Sequence, residues 1–416
     1  MANLSLEKAN ACLRQLQFSD GIAILQEVLE KIDDPSIQWV LHFNIGSMYS
    51  SWGKYSDADN HFKLAEQKGC KERGLLYHNI GLNHKRSLKY KEAIKYYRKG
   101  LKVDPNNPSI HNNLATCLLL LGEWDEGFKE WEWRLLAHHH SRNIRKLFHK
   151  PDWDGTPGKG TILIYNEQGR GDLIQYGRYI PLIKEYGYKT TLIVKEDMMD
   201  LMTNCGATHV LPAIESTNPN YDLVCSVNSL PHLIKTTINT IPDADYLRPK
   251  KKPPVPAKFW KKYDGKTKIG ICWADSKFHG EDIYRSVCNA QFSVFNREKV
   301  QLFSVQKKDP VQSSLVAPNY TNFVDMEEYI KTMNDVACIL QKMDLVITVD
   351  TSIAHLAASL GILTWVMVPV KPDYRWMLKS NTTPWYKTMQ LYRQKVVDDW
   401  NTPFAAAAKD LKKLVK

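Results

Sequence analysis

The chain has 416 residues, 43% hydrophobic and 24% charged, a balance that supports two or three globular domains and excludes both a single short module and wholesale disorder. Its formal net charge of +11 favours anionic partners without choosing among nucleotide, nucleic acid and lipid phosphate, and solubility alone would account for it. Apolar runs such as 362–370 fall far short of the roughly 20 residues a membrane span needs, and the N-terminus MANLSLEKANACLRQLQ has no basic segment leading into an apolar one, so a cytoplasmic protein without a membrane span is expected.

The first third is self-similar. Aligning Phe18, Tyr55, Tyr90 and Trp124 gives intervals of 37, 35 and 34 residues, close to the 34-residue period of helix-turn-helix tetratricopeptide (TPR) repeats. Small residues recur where two helices must approach: Gly46, Ala58 and Ala65 in the second unit, Gly81, Ala93 and Gly100 in the third, Ala115 and Gly127 in the fourth. Tyr49, Phe62, Tyr97 and Trp131 fill the large positions, and Pro105 ends the third unit because its ring cannot continue a helix. Each helix pair buries its apolar stripe only by stacking on the next. Residues 1 to about 136 therefore resemble a TPR array, which presents a concave surface to a partner or packs on an attached domain. The third unit carries Lys85, Arg86, Lys89, Lys91, Lys95, Arg98, Lys99 and Lys102 against the single acid Glu92; a solvated helix face and an anion-binding surface both fit. His138, His139 and His140 cannot all point at one ion from a helix and read as a solvated linker.

After the WDG turn at 153–155 the period changes. Residues 162–165 form a short apolar run typical of a buried parallel strand, followed by a loop over 166–172 and a helical stretch over 173–186. Further strands are predicted over 190–194 and 221–226, which makes βαβ alternation. Residues 248–262, rich in proline and lysine, read as an extended linker. Beyond it, strands are predicted over 268–273, 300–306, 345–349 and 364–368, with helices over 326–343 and 352–360. The expected organisation is an α+α/β multidomain chain: a TPR array over 1–148, a short Rossmann-like half over 149–250, a linker over 251–265, and a second Rossmann-like half over 266–416 that ends in a helix. Two doubly wound sheets leave a cleft beyond their strand C-termini, where ligands bind. The eight cysteines are dispersed without a CxxC pair and read as reduced thiols.

Three segments carry candidate chemistry. In LVITVDTSIAHLAASLG, an apolar strand ends at Val349, Asp350, Thr351 and Ser352 make the turn, and a small-residue helix begins at once. Such a helix start suits a diphosphate, although these three residue types are also preferred N-caps, so a merely well-capped helix fits equally. His355, one turn later, fits a core histidine as well as a phosphate donor. In EQGRGDLIQYGRYIPLI, Gly169 and Gly171 let the backbone approach a ligand, and Asp172 stands at the start of the next helix as either a proton acceptor or an N-cap. In WADSKFHGEDIYRS, which holds Lys277, His279, Asp282 and Ser286, Arg285 offers a guanidinium fork for phosphate oxygens.

The order GRGD-LIQY, WADS…H…D…RS, VDTSIAHLAASLG, VPVKPDYRWML and TPWYKTMQLYRQ resembles the heptosyltransferase-like (family 9) glycosyltransferases of the GT-B fold, and more closely their bacterial and viral relatives that carry TPR repeats in front. GEWDEGFKEWEWRLL and PDWDG fit the same group. The layout is also similar to the O-linked N-acetylglucosamine transferases, without that family's catalytic segments. The resemblance implies a TPR α-solenoid followed by a GT-B module. Asp172 would be the catalytic base; Asp350, Thr351, Ser352, His355 and Arg285 would hold the donor diphosphate. Trp273, Gly169, Gly171, Tyr374 and Trp376 would lie near the donor, the last two covering the nucleotide base unless they pack in the core.

The expected activity is inverting, metal-independent transfer of a hexosyl or heptosyl group from a nucleotide-diphosphate sugar to an acceptor hydroxyl, with no cofactor. Asp243-Ala-Asp245 has the spacing of a metal-binding DxD but sits in a loop before the basic linker. The acceptor is a glycan, a protein or nucleic acid, and the repeats offer a surface to a protein partner. Two alternatives stand beside this reading: a TPR interaction protein with a degenerate, ligand-binding GT-B module, and a glycosyltransferase acting on modified nucleic acid.

Overall fold

A computed structural model describes residues 2–212, 219–250, 253–274, 285–307 and 321–415. The chain divides into two compact units, Met1–His139 and His140–Lys416.

The first unit is a series of helix pairs: α1 (Ala2–Arg14) with α2 (Phe18–Lys31), α3 (Pro35–Trp52) with α4 (Tyr55–Gln67), α5 (Arg73–Arg86) with α6 (Tyr90–Val103), and α7 (Pro108–Leu121) with α8 (Trp124–Trp131). Phe18, Tyr55, Tyr90 and Trp124, the residues that set the repeat, each open the second helix of a pair. Local chemistry fixes several ends. Asp34 and Asn107 accept the N–H groups of Ser36 (2.9 Å) and Ser109 (3.1 Å), and Pro35 and Pro108 supply the preset φ of a first helical position. The small positions are sterically demanded: a Cβ on Gly81 would lie 2.5 Å from the ring of the buried Tyr97.

Several cations of the basic third unit join neighbouring repeats. The Lys85 ammonium donates to Asn113 Oδ1 (3.0 Å) and Thr116 Oγ1 (2.8 Å), Arg86 donates to Ser50 Oγ (3.2 Å), and Arg98 pairs with Glu126 at 2.7 Å. The cluster is therefore partly repeat-to-repeat glue rather than one solvated face. His138, His139 and His140 are exposed.

The second unit begins before residue 149. Helix α9 (His139–Lys146) opens at the division, and Phe148 packs with Leu163, Tyr165 and Val224, so residues 140–148 serve the α/β core rather than the array. Its first sheet contains β1 (Gly160–Tyr165), β2 (Tyr188–Ile193), β3 (His209–Leu211) and β4 (Leu223–Ser226), all parallel in the order β3-β2-β1-β4. The helical stretch expected over 173–186 is instead α10 (Arg170–Tyr176) continued by a 3-10 helix over Gly177–Tyr186, where Pro181 lacks the N–H that an α-helix would use.

The second sheet contains β5 (Thr267–Cys272), β6 (Val300–Ser304), β7 (Phe323–Asp325), β8 (Leu345–Val349), β9 (Thr364–Val368) and β10 (Met389–Arg393), parallel in the order β10-β9-β8-β5-β6-β7. Helices α11 (Met333–Leu340), α12 (Ser352–Ser359) and α13 (Asn401–Leu414) flank it, and Phe404 and Leu411 of α13 enter the core with Phe292, Val300 and Trp365. The expected helix over 326–343 is shorter because Thr332 and Asp335 close a capping box at its start. The proline- and lysine-rich segment is not extended throughout. It folds a short helix over Ala257–Lys261, and Trp260 and Val255 are buried, so aromatic anchoring overrides the composition. A helical repeat unit followed by two parallel α/β halves is thus the fold of this chain. Among the described residues, no helix is long and apolar enough to cross a membrane. The cysteines are free; Cys288 is exposed, Cys12 half-buried and the other six buried.

Candidate functional site

In an open parallel sheet, ligands bind beyond the strand C-termini where neighbouring strands leave toward opposite faces. The strand orders put that point between β1 and β4 in the first half and between β5 and β8 in the second. The loops that leave there contain Gly169–Asp172, Trp273, Arg285 and Asp350–Ser352, which are the segments singled out by sequence. Lys277, His279 and Asp282 lie outside the described residues.

In the first half, a buried polar network fixes the loop after β1. Ser226 Oγ donates to Glu167 Oε2 at 2.5 Å, and the Asn228 amide donates to Glu167 Oε2 (3.2 Å) and Asn166 Oδ1 (3.1 Å). Asn166 in turn donates to the carbonyls of Gln168 (3.1 Å) and Gly169 (2.9 Å), which aims the chain into α10. Asp172 Oδ2 accepts the Gly169 N–H at 2.9 Å, so its capping role is present. Its other oxygen accepts from Arg375, which lies in a short turn after β9 in the other half. The same guanidinium donates to Gln175 Oε1 and to Asp373 Oδ1 (2.9 Å). The Tyr176 and Tyr374 hydroxyls hydrogen-bond beside it. Burial raises the Asp172 pKa above the ordinary carboxylate range, Arg375 opposes the rise, and Asp373 adds to it.

In the second half, Thr351 Oγ1 accepts the Ile353 N–H at 3.2 Å and lies 3.2 Å from Thr348 Oγ1. It is 4% exposed, so its hydroxyl is spent as an N-cap rather than turned toward a ligand. Ser352 is half-buried. His355 Nδ1 is 2.9 Å from the Tyr386 hydroxyl and the imidazole stacks on Trp376 at 5.3 Å between ring centres. Burial, with Arg375, Arg178 and Arg285 adding to it, pushes the His355 pKa well below its usual value, which makes it a neutral core side chain. The two loops meet directly: a Cβ on Gly171 would lie 3.0 Å from the His355 ring and 3.5 Å from Ser352 Cα. Only the absence of a side chain at 171 allows this approach.

The aromatic residues expected around a nucleotide are committed elsewhere. Trp273 lies in the core of the second sheet, and Tyr374 and Trp376 are 4% and 0% exposed, packed against Tyr176 and His355. The DxD pair does not converge: Asp243 pairs with Lys387 at 2.7 Å and Asp245 with Arg248 at 2.6 Å. Among the described residues, no group of three or more His, Cys, Asp or Glu is placed to hold a metal ion. A cavity of about 420 Å³ around Lys266, Arg297 and Asn322 lies at the N-terminal ends of β5 and β6, away from these loops.

Two arginines at this junction escape a sequence reading. Arg375 stands between Tyr374 and Trp376, in a loop read for its rings. Arg178, 2% exposed, donates to the carbonyls of Gln175 (2.8 Å), Trp385 (2.8 Å) and Pro242 (3.2 Å), and its guanidinium lies 4.6 Å from the Tyr386 ring centre. The available signal was its place six residues after Asp172, in the same motif segment.

A family model for the TPR repeat matches residues 89–122. Residues 89–122 are a TPR repeat, set within the series of helix pairs of the first unit. The photosystem I assembly protein Ycf3 of Rippkaea orientalis is 27% identical over 85 residues, which cover 20% of this chain and 49% of that protein, so the match spans about half the length of the curated relative. Among solved structures, the chain is similar to a glycosyl transferase family 9 protein from Veillonella parvula at 10% identity, covering 64% of this chain and 97% of that one with a TM-score of 0.45. It is also similar to the E. coli heptosyltransferase WaaC with ADP at 13% identity, covering 61% and 98%, with a TM-score of 0.42.

Downstream of the helical repeats, the α/β unit carries a second displaced carboxyl. Asp350 is buried, and burial together with Asp373 pushes its pKa from 3.8 up to about 6, against the pull of Arg285. Its contribution to stability is present below pH 3.8 and lost as pH rises through about 6, a cost on the order of 3 kcal/mol at neutrality. Asp350→Asn is therefore expected to flatten the pH dependence of urea unfolding across this window. Parallel curves for the two proteins would mean that Asp350 ionises freely in the fold.

Proposed function

We propose that the protein is a glycosyltransferase that moves a sugar from a nucleotide-diphosphate donor to an acceptor hydroxyl, with inversion and without a metal. The observation that supports this most is the meeting of the two switch-point loops, where Gly171 abuts Ser352 and His355. It brings a half-buried carboxylate on one half next to a helix start on the other. In the proposed reaction the diphosphate lies against the first turn of α12, where Ser352, the helix dipole and Arg285 meet its charge. Asp172 takes the acceptor proton as the acceptor oxygen bonds to the anomeric carbon from the face opposite the diphosphate. The bond from that carbon to the diphosphate oxygen breaks, and the electron pair leaves with the nucleotide. Donors fixed by the fold stabilise that charge without reorganising. Thr351 and His355 act behind the site, as a cap and as packing. The TPR array recruits a protein partner or the acceptor itself.

A thermal-shift screen across nucleoside diphosphates and nucleotide sugars tests the reading. A ligand at 100 times its dissociation constant adds about 2.7 kcal/mol, and release of the nucleoside diphosphate from the matching sugar reports turnover. Silence across the whole panel would remove the proposal. A second reading draws on Asp172 having partners on both oxygens: a TPR interaction protein whose α/β module binds a nucleotide without turning it over. A thermal shift with no release, in the presence of candidate acceptors, selects it.

A further inference from the structure

We infer that Arg375 is a positioning residue for Asp172, holding its carboxylate ionised and oriented across the junction between the two α/β halves. The inference rests on the reading of Asp172 as the proton acceptor, because a base must stay deprotonated to work.

The surroundings of Asp172 oppose ionisation. Its side chain is 21% exposed, so most of its hydration is lost, which favours the neutral acid. Glu167, from the loop after β1, and Asp373, from the turn after β9, add negative charge nearby. Tyr176 and Tyr374 are hydroxyls whose own pKa values are raised by burial, and they carry no charge at neutral pH. His355, beyond Gly171, is held neutral. Against these stands the guanidinium of Arg375, itself 11% exposed.

Its geometry adds direction to charge. Nη2 donates to Asp172, Nε to Gln175 Oε1 and Nη1 to Asp373 Oδ1. Three acceptors, one on each guanidinium nitrogen, hold the planar fork, and Gln175 sits one turn after Asp172 on α10. The carboxylate is thus held from both ends, by its own helix through Gly169 N–H and by the opposite half through Arg375. The arginine comes from the second half, so the ionisation of Asp172 depends on the two halves being joined.

The test reads Asp172 directly and needs no substrate. Urea unfolding across the pH range is measured for the wild type and for Asp172→Asn; the difference between the curves locates the titration of Asp172 in the folded chain. The same difference is measured with Arg375→Gln in both proteins. The expected result is an upward move of the Asp172 step by about 1 to 3 pH units, with Arg375→Lys returning it toward the wild-type position. An unmoved step would make Arg375 a structural strut and overturn the inference. Should Arg375→Gln not fold, Arg375→Met, which keeps the apolar stem and removes the charge, takes its place: the same upward move is expected, and an unmoved step again overturns the inference. The outcome is separable from the proposed reaction. A moved step without turnover of any nucleotide sugar sinks the reaction alone, and turnover with an unmoved step sinks the role of Arg375 alone.

Discussion

Asp172→Asn is expected to lower sugar transfer by at least about 100-fold, the lower end of what a positioned general base contributes. Nucleoside-diphosphate binding should stay close to wild type. The amide keeps the shape of the carboxylate and still accepts the Gly169 N–H, so the start of α10 survives. It cannot take a proton from an attacking hydroxyl. Arg375 loses one anionic partner but keeps Asp373 and Gln175, which limits the loss of stability to about 1–3 kcal/mol. Nucleotide release and a thermal shift with the nucleoside diphosphate measure the two halves of this expectation separately. Full transfer by the variant would take Asp172 out of the mechanism.

The largest expected effect on stability comes from Gly187→Ala. Gly187 ends the 3-10 helix over Gly177–Tyr186 with φ +89°, immediately before β2. A Cβ there would lie 2.2 Å from the Gly158 carbonyl oxygen, and Gly158 is itself tied by its N–H to the Tyr186 carbonyl at 2.9 Å. No rotamer relieves a clash between Cβ and backbone, so one of the two segments must move. With the left-handed φ added, the cost is about 3 kcal/mol. Gly265→Ala is the control. Its φ of +79° demands the same conformation, but nothing lies within 4 Å of the added atom, so only about 1 kcal/mol should be lost. Equal losses in urea unfolding would show that the approach of Gly187 to Gly158 relaxes at no cost.

The parts of this fold that are legible in the sequence are those encoded by a local period. The first residues of α2, α4, α6 and α8 follow from aligned aromatics, and β8 and β9 coincide with their predicted spans because each is a fully buried apolar run. β3 and β7 have three residues each, too few to show an alternation, and β10 lies in a segment read for its motif rather than its pattern. The candidate site divides in the same way. The loops holding Asp172 and Asp350 are readable as strand–turn–helix junctions. The partnership of Asp172 with Arg375 spans about half the chain and has no local signature. Tyr374 and Trp376 show the converse failure: a base-stacking pair and a core pair have the same composition, and only burial tells them apart.

The two arginines at the junction reach in opposite directions. Arg178 reaches from the first half to the Trp385 carbonyl of the second, and Arg375 reaches from the second half to the Asp172 carboxylate of the first. They form a reciprocal clasp. Separating the two halves would break both grips, so each half depends on the other for the partner of one of its arginines.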